Sequence, residues 1–387
     1  MYADDTVLFA SSKRNLQHSL NTYSNYCKTW DIDININKTK IMCFGRKVTH
    51  TFSLDGKNVE LVDTFIYLGV TFSRNGKFIR AIKDNIDKAR KAMFTLRATF
   101  REKLLPIDCQ IDLFVKTIEP ILLYGAEVWG TENVKILETF RLKILKQILG
   151  VKNSTPSYMV YGETGLKPLA VKIKQRMISY WSSIVTGKQN KIAVLLFKIM
   201  LNDKATRNSR YKWVDNIEKI LNDTGLSYLW TQQKASRKEI NRLKQILEDQ
   251  EQQYLENACN ESTKGKIYAY LKESWTMEYY LSHLREHHIK ALIKFRTANN
   301  KLPVEIGRYS NIPYEERKCP FCNDQVGDEF HYLFECKKFN KERKKYIKKY
   351  FYEHPNIYKY KLLMNSKNKK VLSKISIFVK IIMKQFQ

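Results

Sequence analysis

The hydrophobic pattern of this 387-residue chain changes at Gly76. Before Gly76, short apolar runs of strand length are separated by turn signals such as Asp55-Gly56. One amphipathic stretch of helical period, residues 13–30, lies among these runs. After Gly76 the apolar residues recur at helical spacing. The pattern therefore predicts an α+β fold, in which a strand-rich module at residues 1–75 precedes a mostly helical region.

The individual elements follow from the same periodicities. Strands are expected at 6–10, 40–44, 51–54, 59–61 and 65–72, with further period-2 alternation at 32–36. Helices are expected at 79–100, 113–124, 134–149, 171–200, 234–258, 267–280 and 282–298. Gly150 is the expected C-cap of the helix at 134–149.

The charge balance points to a polyanionic partner. The chain carries 68 basic and 39 acidic residues, a net charge of +29, which indicates binding to nucleic acid. Codon drift in an AT-rich genome is the alternative source of this charge. The scattered cysteines, odd in number at seven, indicate a reducing compartment. With no signal peptide and no transmembrane helix expected, we predict an intracellular protein, nuclear or cytoplasmic, without a membrane partner.

Two adjacent carboxylates stand at the start of the sequence, in Tyr2-Ala3-Asp4-Asp5. Neighbouring acidic side chains repel each other, and a divalent metal offsets that repulsion. Hard oxygen ligands of this kind suit Mg²⁺. Asp4 and Asp5 are therefore candidate magnesium ligands, although an acidic pair is also common in turns and helix N-caps.

A second candidate metal site has the spacing C-x2-C-x8-H-x4-C. Its ligands would be Cys319, Cys322, His331 and Cys336. Three thiolates and one imidazole are the ligand set of a structural, tetrahedral Zn²⁺ site, which has no open position for catalysis. The alternative is a coincidence of cysteine and histidine in a lysine-rich region.

Several segments, in order, resemble the reverse transcriptases of non-LTR (LINE-type) retrotransposons. Tyr2-Ala3-Asp4-Asp5 resembles their Y/F-x-D-D motif, and the run from Asn35 to Lys40 resembles their N-x-x-K-T-K segment. Tyr67-Leu68-Gly69-Val70 resembles their primer grip, and Leu122 to Gly130 resembles a thumb segment in which Trp129 is expected to be a core residue. The Cys/His pattern resembles the zinc knuckle that follows the thumb in many of these enzymes.

The resemblance implies roles for particular residues. Asp4 and Asp5 would be catalytic metal ligands, and Lys38 would stabilise charge on the leaving pyrophosphate. Tyr67 and Gly69 would contact the primer. Lys38 could equally be a solvated lysine before a strand.

Two basic segments are candidate nucleic-acid contacts. Arg285, Lys290, Lys294 and Arg296 share one helical neighbourhood, and Lys344, Lys345 and Lys348 lie in a basic run with nearby tyrosines. Such residues bind phosphates by charge and bases by stacking. A solvated helix face is the alternative for both segments.

The resemblance divides the chain into five segments. These are the palm end (1–75), a thumb-like domain (76–200), a helical linker (201–310), the zinc knuckle (311–340) and a basic helical tail (341–387). The implied partners are RNA and DNA, as template–primer or element RNA, together with the N-terminal part of the polymerase. The competing interpretations are a nucleic-acid-binding zinc module without a polymerase role and a helical interaction scaffold.

We expect the 387-residue polypeptide alone not to synthesise DNA. Two-metal phosphoryl transfer in this family also uses an aspartate upstream of the acidic pair, and no residue of this sequence matches it. Magnesium binding by the pair alone should be weak. A primer-extension assay with Mg²⁺ tests this, and template-directed incorporation at ordinary rates would contradict it.

Overall fold

The structure is a computed structural model that describes residues 5–45, 49–131, 134–207 and 211–386. The chain forms two compact units, residues 1–87 and 88–387. This division is coarser than the five segments expected from the sequence, whose boundaries stay a prediction. None of the helices among the described residues has the length and apolar content of a membrane span.

The first unit contains one long helix and two small sheets. Its elements are α1 (Lys13–Thr29), β1 (Lys40–Ile41), β2 (Phe52–Leu54), β3 (Lys57–Leu61), β4 (Thr64–Tyr67) and β5 (Val70–Ser73). Strand β3 is the centre of a three-stranded sheet, parallel to β1 and antiparallel to β2. Strands β4 and β5 form a separate antiparallel hairpin.

The core of this unit lies between α1 and the three-stranded sheet. Leu20 of α1 packs with four sheet residues, Ile41, Phe52, Leu54 and Val59. The expected Asp55-Gly56 turn joins β2 to β3, with positive φ at both residues (54° and 73°). This geometry matches the right-handed twist of a hairpin.

Two expected strands of this unit do not form. Residues 6–10 carry no strand, although Leu8 packs against the core. The alternating stretch at 32–36 leads into a turn, in which Asn35 Oδ1 accepts the Lys38 N–H at 3.0 Å and the Asn35 carbonyl accepts the Thr39 N–H at 3.0 Å. These local bonds replace a sheet ladder.

The second unit is helical, as expected. Helix α2 (Ile79–Glu102) crosses the boundary between residues 87 and 88. The α-helices are α2 (Ile79–Glu102), α3 (Ile107–Leu113), α4 (Glu119–Leu122), α5 (Ala126–Trp129), α6 (Lys135–Leu149), α7 (Ser157–Thr164), α8 (Leu169–Val185), α9 (Lys191–Arg207), α10 (Lys212–Asp223), α11 (Ser227–Gln232), α12 (Arg237–Asn260), α13 (Tyr268–Leu271), α14 (Tyr279–His283), α15 (Glu286–Arg296), α16 (Pro303–Tyr309), α17 (Glu329–Phe334), α18 (Asn340–Tyr346), α19 (Lys349–Tyr352), α20 (Ile357–Met364) and α21 (Lys369–Lys384). A π-helical turn (Phe114–Ile118) joins α3 to α4, and 3₁₀ turns occupy Tyr314–Glu316 and Lys337–Phe339.

The expected helices are present but several are divided. Gly150 ends α6 with φ 69°, as predicted for a C-cap. The expected helix at 171–200 is two helices, α8 and α9, between which Gly187 takes φ 69°. The expected helix at 267–280 is reduced to α13 and α14.

Helix α8 lies against α5 and α12 and organises the core of this unit. Trp129 is 1% exposed, which confirms its prediction as a core residue, and its indole N–H donates to the Tyr124 carbonyl at 2.7 Å. Gly130 allows α8 to approach closely, because a Cβ there would lie 2.5 Å from Ile173 Cγ2.

Candidate metal centre and polymerase motif residues

Two of the residues expected at the polymerase site, Asp5 and Lys38, lie on the surface of the first unit. Asp4 is outside the described residues, whereas Asp5 is exposed. The Tyr23 hydroxyl of α1 donates to Thr6 Oγ1 at 3.2 Å and so attaches the segment after Asp5 to the helix. Lys38 is exposed at the Asn35 turn, just before β1. A carboxylate and an ammonium are thus both accessible to solvent on this unit.

Tyr67 and Gly69 belong to the tight turn between β4 and β5. Tyr67 pairs with Val70 across the hairpin, and Leu68 and Gly69 form a two-residue loop with φ of 47° and 77°. Positive φ at both loop residues is the type I′ arrangement. For a leucine this conformation costs about 1–2 kcal/mol. The chain therefore holds a strained residue at the segment that resembles a primer grip.

The four expected zinc ligands come together in the second unit. One ligand atom from each of Cys319, Cys322, His331 and Cys336 lies within 4.8 Å of the others. Cys336 Sγ is 3.9 Å from Cys319 Sγ and 3.7 Å from Cys322 Sγ. These separations are much longer than a disulfide bond, and all three thiols are free. The Cys₃His cluster could therefore bind a metal ion.

A tight turn positions the first two thiols. The Cys319 carbonyl accepts the N–H groups of Cys322 at 3.3 Å and Asn323 at 2.8 Å. An antiparallel bridge between Lys318 and Val326 closes the loop. The C-x2-C spacing thus places both sulfurs on the same side of one turn.

Helix α17 positions the other two ligands. Asp328 caps this helix by accepting the His331 N–H at 2.8 Å, and the Cys336 N–H donates to the His331 carbonyl at 2.8 Å. His331 Nδ1 lies 2.6 Å from Gln325 Oε1, so Nδ1 is the ring donor and Nε2 keeps a lone pair. His331 Nε2 is buried without a hydrogen-bond partner among the described residues. An unpaired buried acceptor of this kind fits a metal ligand.

The electrostatics of the metal-free cluster favour the neutral ligands. Burial, assisted by the neighbouring thiols, raises the pKa of Cys336 to about 12. Burial also lowers the pKa of His331. A bound cation would reverse the preference of the thiol, because it favours the thiolate.

Arg343 supports the cluster from α18, and the sequence did not reveal this role. Its guanidinium, 2% exposed, donates to the carbonyls of Leu333 at 2.9 Å and Cys336 at 2.8 Å. Within the basic run, Arg343 and Ile347 are buried, whereas Lys344, Lys345 and Lys348 are exposed. Arg343 and Ile347 are four residues apart, and this i, i+4 spacing is the sequence pattern that indicates a buried helix face.

Comparison with known proteins finds a matching family model and similar curated proteins. A family model described as reverse transcriptase (RNA-dependent DNA polymerase) matches residues 1–72. A probable RNA-directed DNA polymerase from transposon BS of Drosophila melanogaster is 25% identical over an alignment of 225 residues that covers 54% of this chain and 24% of that protein. The RNA-directed DNA polymerase from the mobile element jockey of the same organism is 28% identical over an alignment of 172 residues that covers 41% of this chain and 18% of that protein.

This chain is a relative of the LINE-type reverse transcriptases. The expected resemblance and the expected α+β fold are confirmed. The matched region spans at most about a quarter of the length of these curated relatives. For this chain, the activity and partners of the whole polymerases are therefore proposals.

The nucleic-acid contacts expected from the basic residues of 285–296 differ in exposure. Arg285, Lys290 and Lys294 are exposed along α15, and Lys290 pairs with Glu286. Arg296, at the end of the same helix, is 3% exposed and its side chain is fully buried. The prediction that Arg296 contacts nucleic acid is therefore wrong, because its guanidinium is enclosed by protein partners.

Those partners form a buried ion network. Arg296 Nε lies 3.2 Å from Glu163 Oε1, and another guanidinium nitrogen lies 3.1 Å from Glu278. The Tyr280 hydroxyl donates to Glu163 as well. Burial alone would lower the pKa of Arg296, but Glu163 and Glu278 raise it above its usual value. The segment Tyr161-Gly162-Glu163-Thr164-Gly165 thus supplies the counter-charge of Arg296.

Proposed function

We propose that this chain serves an RNA-directed DNA polymerase by carrying part of its palm and by binding its template–primer. The main support is that the reverse-transcriptase match, residues 1–72, falls on the residues that fold as the small α+β unit. In this proposal Asp4 and Asp5 hold Mg²⁺, which supplies charge stabilisation during phosphoryl transfer. Lys38 neutralises charge near the leaving pyrophosphate, and Tyr67 and Gly69 lie against the primer.

The second unit then contributes nucleic-acid affinity. Its exposed cations on α15 and at Lys344, Lys345 and Lys348 can neutralise backbone phosphates. Exposed aromatic rings also lie next to cations. Lys359 Nζ, for example, is 4.7 Å from the centre of the exposed Tyr350 ring. Both features suit RNA and DNA. A nuclear or cytoplasmic location remains part of this proposal.

We propose that the Cys₃His cluster binds zinc as a structural ion. Zn–S bonds of about 2.3 Å in a tetrahedron separate neighbouring sulfurs by about 3.8 Å. The sulfur pairs of Cys336 are 3.9 Å and 3.7 Å apart. Four protein ligands fill the coordination shell, so the ion would hold the knuckle together without a catalytic position.

A salt titration of nucleic-acid binding tests the proposed function. The wild-type chain should bind a labelled RNA–DNA primer–template, and its affinity should fall steeply as salt rises. Changing Lys344, Lys345 and Lys348 together to Gln removes up to three phosphate contacts. We expect this to lower the slope of log K against log salt by about two to three. Fluorescence anisotropy gives both the affinities and the slopes.

The matched control replaces Lys219, Lys234 and Lys238 with Gln, three exposed lysines of the same unit. This control removes the same charge and should leave the slope close to that of the wild type. Equal losses in both variants would mean that overall charge, rather than this surface, governs binding. Weak, salt-insensitive binding by the wild-type chain would favour an interaction scaffold instead.

A further inference from the structure

A lysine of the second unit is buried without an ionic partner. Lys264, in the loop after α12, is 6% exposed, and its Nζ has no hydrogen-bond partner among the described residues. Its backbone is fixed at both ends, since its carbonyl accepts the Tyr158 hydroxyl at 3.2 Å and its N–H donates to Ser262 Oγ at 3.2 Å. A buried ammonium is unfavourable unless an opposite charge balances it. An anion beside Nζ would balance this amine in its protonated form.

The surroundings of Lys264 carry more positive charge. Burial lowers the pKa of Lys264; Glu305 counteracts this, and Arg308 and Lys152 lower it further. Burial and the charge of Lys264 likewise lower the pKa of Lys146. These cations come from α6, the loop after it, the loop after α12, and α16. Four separate segments thus bring like charges together, which is costly without an anion.

A serine and a tyrosine complete the surroundings. Ser154 and, less strongly, Lys264 lower the pKa of Tyr309, so both lie close to its hydroxyl. Arg308 stacks over the Tyr309 ring at 4.3 Å. Glu305 accepts a hydrogen bond from Arg308 Nε at 3.2 Å, so this carboxylate is already paired with an arginine. Tyr309 is 59% exposed, so its ring lies at the surface of the protein.

We propose that these residues bind a phosphate group. The Lys264 cluster consists of Lys146, Lys152, Ser154, Lys264, Arg308 and Tyr309. Phosphate carries enough negative charge to balance several cations, and its oxygens accept hydrogen bonds from several directions at once. The phosphate belongs either to a nucleic-acid backbone or to a small free ligand. The site itself does not depend on the proposed polymerase function.

Thermal melting of the full chain with inorganic phosphate tests the site. Phosphate should raise the wild-type Tm above its value in chloride of equal ionic strength, because the folded state alone has the site. Lys264→Met should abolish this rise. Without phosphate, the variant should melt at the wild-type temperature or above it, because the unbalanced ammonium is gone. Lys238→Met is the control, since this exposed lysine lies at the start of α12, about 33 Å along the helix from the end that leads to Lys264.

A second variant separates ligand binding from a structural role. Lys152 is exposed, so Lys152→Met should weaken the phosphate effect without changing the Tm in chloride. If Lys264→Met lowers the Tm by several degrees in chloride and Lys152→Met keeps the full phosphate effect, Lys264 is only structural and the proposal falls. The same holds if Lys264→Met melts normally and still responds to phosphate.

Binding of the labelled RNA–DNA primer–template, called the hybrid below, distinguishes the two phosphate sources. If the phosphate is part of a backbone, Lys264→Met should weaken hybrid binding roughly tenfold and lower the salt slope by about one. If only the response to inorganic phosphate is lost, the ligand is a small phosphate compound. A wild-type chain that responds to phosphate but not to the hybrid would sustain the site and refute the proposed function.

Discussion

Replacing Arg296 with methionine should destabilise the second unit by about 3–5 kcal/mol. The change keeps the side-chain volume but removes the charge that balances Glu163, whose side chain is fully buried. It also removes the donors to the Met364 carbonyl and Asn365 Oδ1, both at 3.1 Å. Urea unfolding followed by circular dichroism would measure the loss.

The control lies on the same helix. Arg285, the N-cap residue of α15, is exposed, so Arg285→Met should change the stability by less than about 0.5 kcal/mol. The double variant Arg296→Met with Glu163→Gln should recover part of the loss, because no unbalanced charge remains. Equal effects at Arg285 and Arg296, or no recovery in the double variant, would refute the network's role.

Removal of the proposed zinc ion should unfold the knuckle locally. Cys336 is 0% exposed and lies next to both other sulfurs, so Cys336→Ser should reduce bound zinc from about one ion per chain to nearly none. The amide protons between Cys319 and Arg343 should then exchange much faster, since metal binding energy of about 10–16 kcal/mol supports such small domains. Elemental analysis and hydrogen exchange would measure both effects.

Acid should release the same ion. Burial raises the pKa of Cys336 to about 12 in the metal-free chain, so zinc must displace a proton from this thiol. Falling pH favours the protonated thiol and therefore the release of zinc.

The control for Cys336→Ser is Cys109→Ser, because this exposed thiol lies outside the cluster. Zinc content that survives Cys336→Ser, or that falls in Cys109→Ser, would show that another group of ligands binds the metal.

The knuckle could be predicted from sequence because its determinants are local. The C-x2-C pair lies on one turn, and His331 and Cys336 lie within and just after one helix, so spacing alone brought the ligands together. Gln325 and Arg343 were missed because their contacts with the ligand residues depend on the folded geometry of the loop and of α18.

The α15 face shows where local reasoning stops. Periodicity placed a helix there correctly, and three of its four expected surface cations are exposed. Arg296 was misassigned because its partner Glu163 is 133 residues away, and no local pattern reveals such a pair. Residues 6–10 have a strand-like composition but no strand, since a strand depends on backbone partners that composition does not provide.

The separation between Glu163 and Arg296 also has a consequence for synthesis of the chain on the ribosome. Helix α7 emerges 133 residues before its counter-charge, and Thr155 emerges 144 residues before its partner Asn299. Because the ribosome adds roughly 5–20 residues per second, these partners are synthesised on the order of ten seconds after α7. During that interval the apolar surface beside Glu163 is open to chaperones, so folding of the second unit should be completed late in translation.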